Sequence, residues 1–170
     1  MSLDNIQLPG FVIQDLFQKT LVDLNTVENK KTSDSLQEKK GELNFFGGNR
    51  QRIILLVNHP EVAFVTDQQL TFLSGILNAC KLTLEDVGLL NIASHPAVHY
   101  KTISESFNPV LVIMFGILPD ALQLPFVMPE FQRQTFNNQV YLAAPSLHEL
   151  ENNKELKRKF WVVLQQIFSL

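Results

Sequence analysis

Four histidines are the side chains in this chain best suited to binding a metal ion or a substrate. They are His59, His95, His99 and His148, and all of them fall in or beside predicted loops. His95 and His99 are four residues apart, but Pro96 between them argues against a shared helix face. No HExxH pattern and no carboxylate cluster accompanies them. The histidine pattern therefore predicts no metal site.

The sequence also gives no support for a catalytic serine, a phosphate-binding loop or an acid–base pair. Ser146 and His148 have a spacing at which helical side chains do not face each other, so a capping role suits Ser146 better. Gly47-Gly48 lacks the following Lys-Ser or Lys-Thr of a phosphate loop. Glu61 is interpreted as a solvated loop residue and Asp67 as a helix cap. We therefore predict a protein without catalytic groups, metal or cofactor.

Length and composition favour one domain with an appendage. The chain has 170 residues, of which 45% are hydrophobic, and a formal net charge of −3. Cys80 is its only cysteine, so a disulfide framework and a cysteine metal cluster are excluded. The sequence begins without a signal-peptide pattern, and no apolar run approaches the roughly 20 residues that span a bilayer. We expect a cytoplasmic protein without a membrane partner.

Basic residues are concentrated in two places, within residues 25–50 and within residues 154–159. The second group is typical of the solvated face of a helix. Proteins that bind nucleic acid through phosphates usually carry a concentrated patch of Lys and Arg in the folded part. We therefore expect little direct binding to nucleic acid.

The elements that position these side chains begin with a central strand. Residues 53–57 are five consecutive aliphatics, which is the pattern of a strand buried on both faces. Pro60 ends the run, and Thr66 or Asp67 caps a helix with an apolar stripe. The stripe consists of Leu70, Leu73, Ile76, Leu77 and Cys80. Strand, loop and covering helix form the first half of a βαβ unit.

Three more strands are predicted at residues 87–92, 110–115 and, within 135–144, most clearly at 140–143. A short helix is predicted at 100–107, an irregular cover at 117–134, and a final helix in two pieces from Ser146, capped with Glu149, to Phe168. We therefore predict an α/β domain over residues 51–170. Its expected form is a three-layer α/β/α sandwich around a four-stranded, largely parallel sheet.

The N-terminal part has a different character. Residues 1–24 predict an amphipathic helix that binds a partner through its apolar stripe. The stripe consists of Leu8, Phe11, Val12, Leu16 and Phe17. Residues 25–50 are mostly polar and charged, which predicts a flexible linker, with the exception of Phe45-Phe46, which are expected to pack against the start of the first strand. The alternative interpretation of the helix is that it folds back onto the domain.

Two stretches resemble the psi subunit of the bacterial DNA polymerase III clamp loader. The first, residues 53–90, is IILLVNHPEVAFVTDQQLTFLSGILNACKLTLEDVGLL, and the second, residues 141–168, is YLAAPSLHELENNKELKRKFWVVLQQIF. In the second the similarity rests on Leu147, Leu150, Asn153 and Trp161. The resemblance implies an adaptor whose N-terminal segment binds clamp-loader subunits and whose domain holds a chi-like subunit. Residues 1–24 lack the Trp of better-known psi proteins.

The psi fold in turn resembles that of uracil-DNA glycosylases, whose active site uses the loops after the first and last strands. Here those loops are residues 58–60 and 144–146. Glycosylases carry a Gly-Gln-Asp-Pro-Tyr-like motif in the first and His-Pro-Ser-Pro in the second, whereas this chain keeps only the Pro of the first and lacks the His of the second. A degenerate glycosylase-like DNA-repair enzyme is therefore the alternative, and an adaptor in an unrelated complex is a third.

Overall fold

The computed structural model describes residues 43–170, which form a mixed six-stranded sheet and four helices. The strands are β1 (Phe45–Gly47), β2 (Ile53–Val57), β3 (Val87–Asn91), β4 (Leu111–Phe115), β5 (Arg133–Phe136) and β6 (Gln139–Ala144). The helices are α1 (Asp67–Ala79), α2 (Tyr100–Phe107), α3 (Leu147–Asn152) and α4 (Lys154–Phe168). Within this part of the chain, no helix has the length and apolar character needed to cross a membrane.

The strand order across the sheet is β1-β3-β2-β4-β6-β5. The four central strands run parallel to their neighbours, and β1 and β5 close the two edges in antiparallel pairings. The α/β class predicted from the sequence is therefore confirmed, but the expected count of four strands is wrong. The four predicted strands are the four parallel ones. The edge strands were missed because each has one partner, is short, and is largely exposed, so neither carries a buried apolar run.

The beginning of the sheet corrects one part of the predicted linker, residues 25–50. Residues 45–47 form β1, in which Phe45 is paired with Leu90 of β3. The ring of Phe45 also packs edge-on against Phe107 of α2, with 5.1 Å between the ring centroids. Residues 45–47 of the expected linker therefore belong to the sheet. Backbone pairing with β3 and the contact between Phe45 and Phe107 hold them there. Residues 25–42 of that linker, and the predicted helix at 1–24, lie outside the described residues.

Both faces of the central strands are buried. Ile53, Leu55 and Val57 of β2 belong to one core cluster, and Ile54 and Leu56 belong to another. None of these five side chains is more than 5% exposed. Because successive side chains of a strand point to opposite faces, a strand between two cores must be apolar throughout.

Different elements cover the two faces. The first cluster contains side chains of α1, α3 and α4, and the second contains Ile103 of α2 together with Ile117, Leu122, Leu124 and Met128. These last four come from the segment after β4, which contains a single short 3₁₀ helix at Pro119–Leu122. The irregular cover expected there is therefore present up to β5. The final helix is in two pieces, as predicted, and the side chain of Asn153 caps the second piece.

Replacement of a glycine by alanine should have opposite effects at two positions, because only one of them needs glycine. Gly47 has a φ of +109°, and a Cβ added there would lie 2.3 Å from the carbonyl oxygen of Val87. Gly75 lies inside α1, and a Cβ there would meet nothing within 4 Å.

We expect Gly47→Ala to lower the free energy of unfolding by roughly 3 kcal/mol, since alanine disfavours the positive φ and its Cβ would clash with a carbonyl oxygen. Gly75→Ala should raise it by about 0.5–1 kcal/mol, because alanine favours the helix. Urea denaturation measures both, and changes of the same sign would contradict the described backbone.

Candidate functional site

The five side chains predicted to bind a partner lie outside the described residues. They are Leu8, Phe11, Val12, Leu16 and Phe17. Their role as a docking stripe therefore stays a prediction. The described residues offer two other regions in which function can be sought, the carboxyl edge of the parallel strands and the outer surface of the helices.

The loops singled out for the glycosylase alternative meet the same edge of the sheet. Residues 58–60 follow β2 and residues 144–146 end and follow β6, and β4 lies between these two strands. Since the strands are parallel, their carboxyl ends share the edge at which open α/β sheets bind ligands. The loops after β4 and β6 are closely packed, because a Cβ on Gly116 would lie 3.0 Å from Cβ of Ser146.

Asn91, the last residue of β3, holds the loop after β2 in place. Its side chain is 1% exposed. Its Oδ1 accepts hydrogen bonds from the backbone N–H groups of His59 (2.9 Å) and Ala93 (3.2 Å). Its Nδ2 donates to the carbonyl oxygens of His59 (2.7 Å), Val62 (2.9 Å) and Ala63 (3.2 Å). The amide therefore contacts five backbone groups, and one of its two N–H bonds is shared between two carbonyl oxygens. Sequence reasoning missed this role, for which the only local signal is a polar residue ending an apolar strand.

Ser146 is the N-cap of α3, as predicted, and its hydroxyl is occupied by that role. It accepts a hydrogen bond from the backbone N–H of Glu149 (3.3 Å) and donates one to Glu149 Oε2 (2.9 Å). The backbone N–H of Ser146 donates to the same oxygen (3.0 Å). These two donors hold the pKa of the Glu149 carboxyl below its ordinary value, first through the hydroxyl and then through the N–H. The hydrogen bonds describe a helix cap and give no nucleophile–base pair.

His99 and His148 are likewise used locally or exposed, whereas His95 is partly buried and its Nε2 has no hydrogen-bond partner within residues 43–170. Nδ1 of His99 accepts from the backbone N–H of Thr102 (3.4 Å) and lies 2.6 Å from its hydroxyl oxygen, so His99 caps α2. His148 is exposed and lies beside Asn152 on α3. Within residues 43–170, no three His, Cys, Asp or Glu side chains are grouped so that they could hold a metal ion.

An apolar groove lies between α1 and α4. Its volume is about 330 Å³. Side chains of α1 and α4 line it, among them Phe72, Ile76, Lys157, Phe160 and Trp161. Phe160 is buried beneath, whereas Trp161, the only tryptophan of the chain, is partly exposed. The ammonium of Lys157 lies 5.1 Å from the ring centroid of Phe72, so one cation sits at the wall of the groove.

The groove is open because small residues occupy the side of α1 that borders it. Gly75 has no side chain, and Thr71 and Ala79 lie one turn before and one turn after it. All three are exposed. The sequence-based interpretation assigned the apolar residues of both helices to covering the sheet, and it missed the groove. A gap between two helices depends on their separation, which local spacing does not encode.

Neither the scan against protein-family models nor the search of curated proteins found a match for this chain. Its function must therefore be argued from its own residues and contacts, together with the resemblance carried by residues 53–90 and 141–168.

The hydrogen bonds between the Asn91 side chain and the neighbouring backbone, here called the Asn91 clamp, lead to a prediction about stability. Asn91→Ala leaves three carbonyl oxygens and two N–H groups without their partner, so we expect the free energy of unfolding to fall by about 2–3 kcal/mol. Asn58→Ala, an exposed asparagine beside the same loop, is the control and should change it by less than about 0.5 kcal/mol. Urea denaturation measures both variants. Equal effects of the two substitutions would contradict the clamp.

The cap of α3 makes a pH-dependent prediction. A carboxyl whose pKa is lowered by folding stabilises the folded state above its unfolded pKa, and this stabilisation is lost as pH falls through the folded pKa. We expect Ser146→Ala to destabilise the protein most near neutral pH, and less as the pH falls through the range in which Glu149 is protonated. The control is Thr66→Ala, because the capping box of α1 pairs Thr66 with the uncharged Gln69. Urea denaturation at several pH values measures the loss of unfolding free energy that each substitution causes. This loss should depend on pH for Ser146→Ala and not for Thr66→Ala.

Proposed function

We propose that this chain is a non-enzymatic, psi-like adaptor of the DNA replication machinery that links the clamp loader to other replication proteins. The observation that carries the proposal is the position of the two stretches that resemble psi. The first contributes β2, α1 and β3, and the second contributes most of β6 with α3 and α4. Although distant in sequence, they pack against each other on one face of the sheet.

Direct contacts join the two stretches. Leu73 and Leu77 of α1 belong to the same core cluster as Phe160 and Leu164 of α4. Gln68 Nε2, near the start of α1, also donates a hydrogen bond of 2.8 Å to the carboxylate of Glu151 on α3. The resemblance therefore falls on one packed unit rather than on unrelated segments. Because it is a likeness of packing patterns, it supports the fold-level comparison first and the function through it.

In the proposed mechanism, the apolar stripe of residues 1–24 docks in a groove of the clamp loader. The stripe is the one formed by Leu8, Phe11, Val12, Leu16 and Phe17. Each buried side chain contributes about 1.5–3 kcal/mol before the loss of conformational freedom is subtracted. Residues 43–170 then carry the surfaces for other partners, of which a chi-like subunit is the one implied by the resemblance.

The alternative proposal is a degenerate uracil-DNA glycosylase-like enzyme. It is favoured by the position of residues 58–60 and 144–146 at one edge of the sheet. Such an enzyme must hold a flipped base and activate water. The polar side chains of Asn91 and Ser146 at this edge instead bond to the backbone and to a helix cap, which favours the adaptor.

Replacing one apolar side chain of the stripe tests the adaptor. We expect Phe11→Asp in the full-length protein to weaken binding to the clamp-loader complex of the same organism about 100-fold, because it removes an apolar anchor and buries a charge. Gln14→Asp adds the same charge at a polar position outside the stripe, and its affinity should be reduced much less. Surface plasmon resonance measures the affinities, and the melting temperature of both variants should be unchanged.

Other outcomes separate the remaining interpretations. A fall in melting temperature for Phe11→Asp alone would assign residues 1–24 to the core of the chain itself. Absence of clamp-loader binding by the unchanged protein would contradict the adaptor. A uracil-release assay would then decide the alternative, which requires release from DNA that is lost in Asn58→Ala or Ser146→Ala.

A further inference from the structure

Gly75 weakens α1 at a position that lines the groove. Glycine in a helix interior costs stability relative to alanine, and a residue with a larger side chain would be tolerated by the backbone. A Cβ at this position meets nothing within 4 Å, so close packing does not explain the glycine. What the glycine does provide is space between α1 and α4.

A second departure from helix rules lies at the start of α4, whose Lys157 lines the groove. The first two turns of α4 carry four cations, Lys154, Lys157, Arg158 and Lys159, against one carboxylate, Glu155. Cations near a helix N-terminus oppose the macrodipole, and like charges three or four residues apart repel each other. Within residues 43–170 none of these cations forms an ion pair with an acidic side chain. An acidic ligand would relieve both unfavourable terms.

We propose that the groove between α1 and α4 binds an amphipathic helix of a partner protein. In this complex apolar side chains of the partner helix enter the groove, and its acidic residues face Lys154, Lys157 and Arg158. The residues of this surface are not those of the predicted stripe at residues 1–24, and the inference does not depend on the proposed function.

The dimensions of the groove fit a helix. From Thr71 to Ala79 it follows about two turns of α1, roughly 12 Å at the rise of an α-helix. A helix of that length presents apolar side chains at i, i+3, i+4 and i+7 on one face. Lys157 lines the apolar wall with its stem, while its ammonium lies over Phe72. A carboxylate beside the apolar anchors therefore meets a cation at the rim. The apolar lining favours a protein helix, which buries apolar side chains, over a nucleic acid, which is bound mainly through its phosphates.

Trp161 allows the inference to be tested on the full-length protein without a label. It is the only tryptophan and it lines the groove, so its fluorescence reports occupancy. The probes are two synthetic helical peptides with the same leucines at i, i+4 and i+7, one with glutamates and the other with lysines on the polar face. We expect the acidic peptide to change the emission saturably and to bind at least about tenfold more tightly than the basic peptide. Added salt should reduce this difference.

Substitutions in each wall test the two parts of the proposal. Gly75→Leu fills the groove and should weaken binding of the acidic peptide at least about tenfold, and Gly75→Ala, which takes up less of the space, should weaken it less. The double variant Lys157→Gln, Arg158→Gln should remove the preference for the acidic peptide. Lys101→Gln is its control, because Lys101 is exposed on α2, at the other face of the sheet. Unfolding curves of the variants should show that the fold is retained.

Several results would overturn the proposal. No change in emission with either peptide up to millimolar concentration would do so, as would equal affinity for the two. A change caused in the free protein by Phe11→Asp would mean that residues 1–24 of the same chain occupy the groove. Self-association that Gly75→Leu abolishes would identify a second copy as the occupant. A response to single-stranded DNA but not to the acidic peptide would point to a nucleic acid.

Discussion

Burial of the four parallel strands on both faces is the constraint on which the rest of the structure depends. β2 lies between β3 and β4, and its alternate side chains belong to two separate cores. No polar side chain can occupy β2 without facing one of these cores, so polar groups at this level are confined to strand ends. Helices must in turn cover both faces. Function is therefore restricted to the loops at the strand ends, the sheet edges and the outer surfaces of the helices.

At the carboxyl edge the polar side chains described above maintain the backbone. Asn91 satisfies backbone groups of the loops after β2 and β3, and Ser146 starts α3. Loops that leave a buried sheet carry N–H and C=O groups without ladder partners, and these must be bonded when buried. An asparagine amide, which both donates and accepts, suits this task better than a carboxylate. The edge at which open α/β sheets bind ligands is thus stabilised here by the hydrogen bonds of Asn91 and Ser146.

The sequence predicted the parts of the fold that depend on local pattern. Uniformly apolar runs predicted the four parallel strands, since burial on both faces leaves that pattern, and Ser146 with Glu149 predicted the start of α3 correctly. The edge strands β1 and β5 were missed because pairing with one neighbour demands little of the side chains. Asn91 and the groove were missed because both depend on residues brought together from distant parts of the chain. The predicted stripe at residues 1–24 lies outside the described residues and stays a prediction.

The local departures from helix rules are informative because they converge. Thr66 and Ser146 begin their helices with complete capping boxes, so α1 and α3 follow the rules at their starts. Gly75 and the cations at the start of α4 do not follow them, and Gly75 and Lys157 line the same groove. Two large cores supply the stability of the domain, so it tolerates these small losses. A docking surface accounts for both departures, because the glycine leaves space for a partner and the cations attract its acidic side chains. If residues 1–24 bind a second partner, the chain holds two proteins at a high effective concentration, which is an adaptor's task and requires no catalytic group.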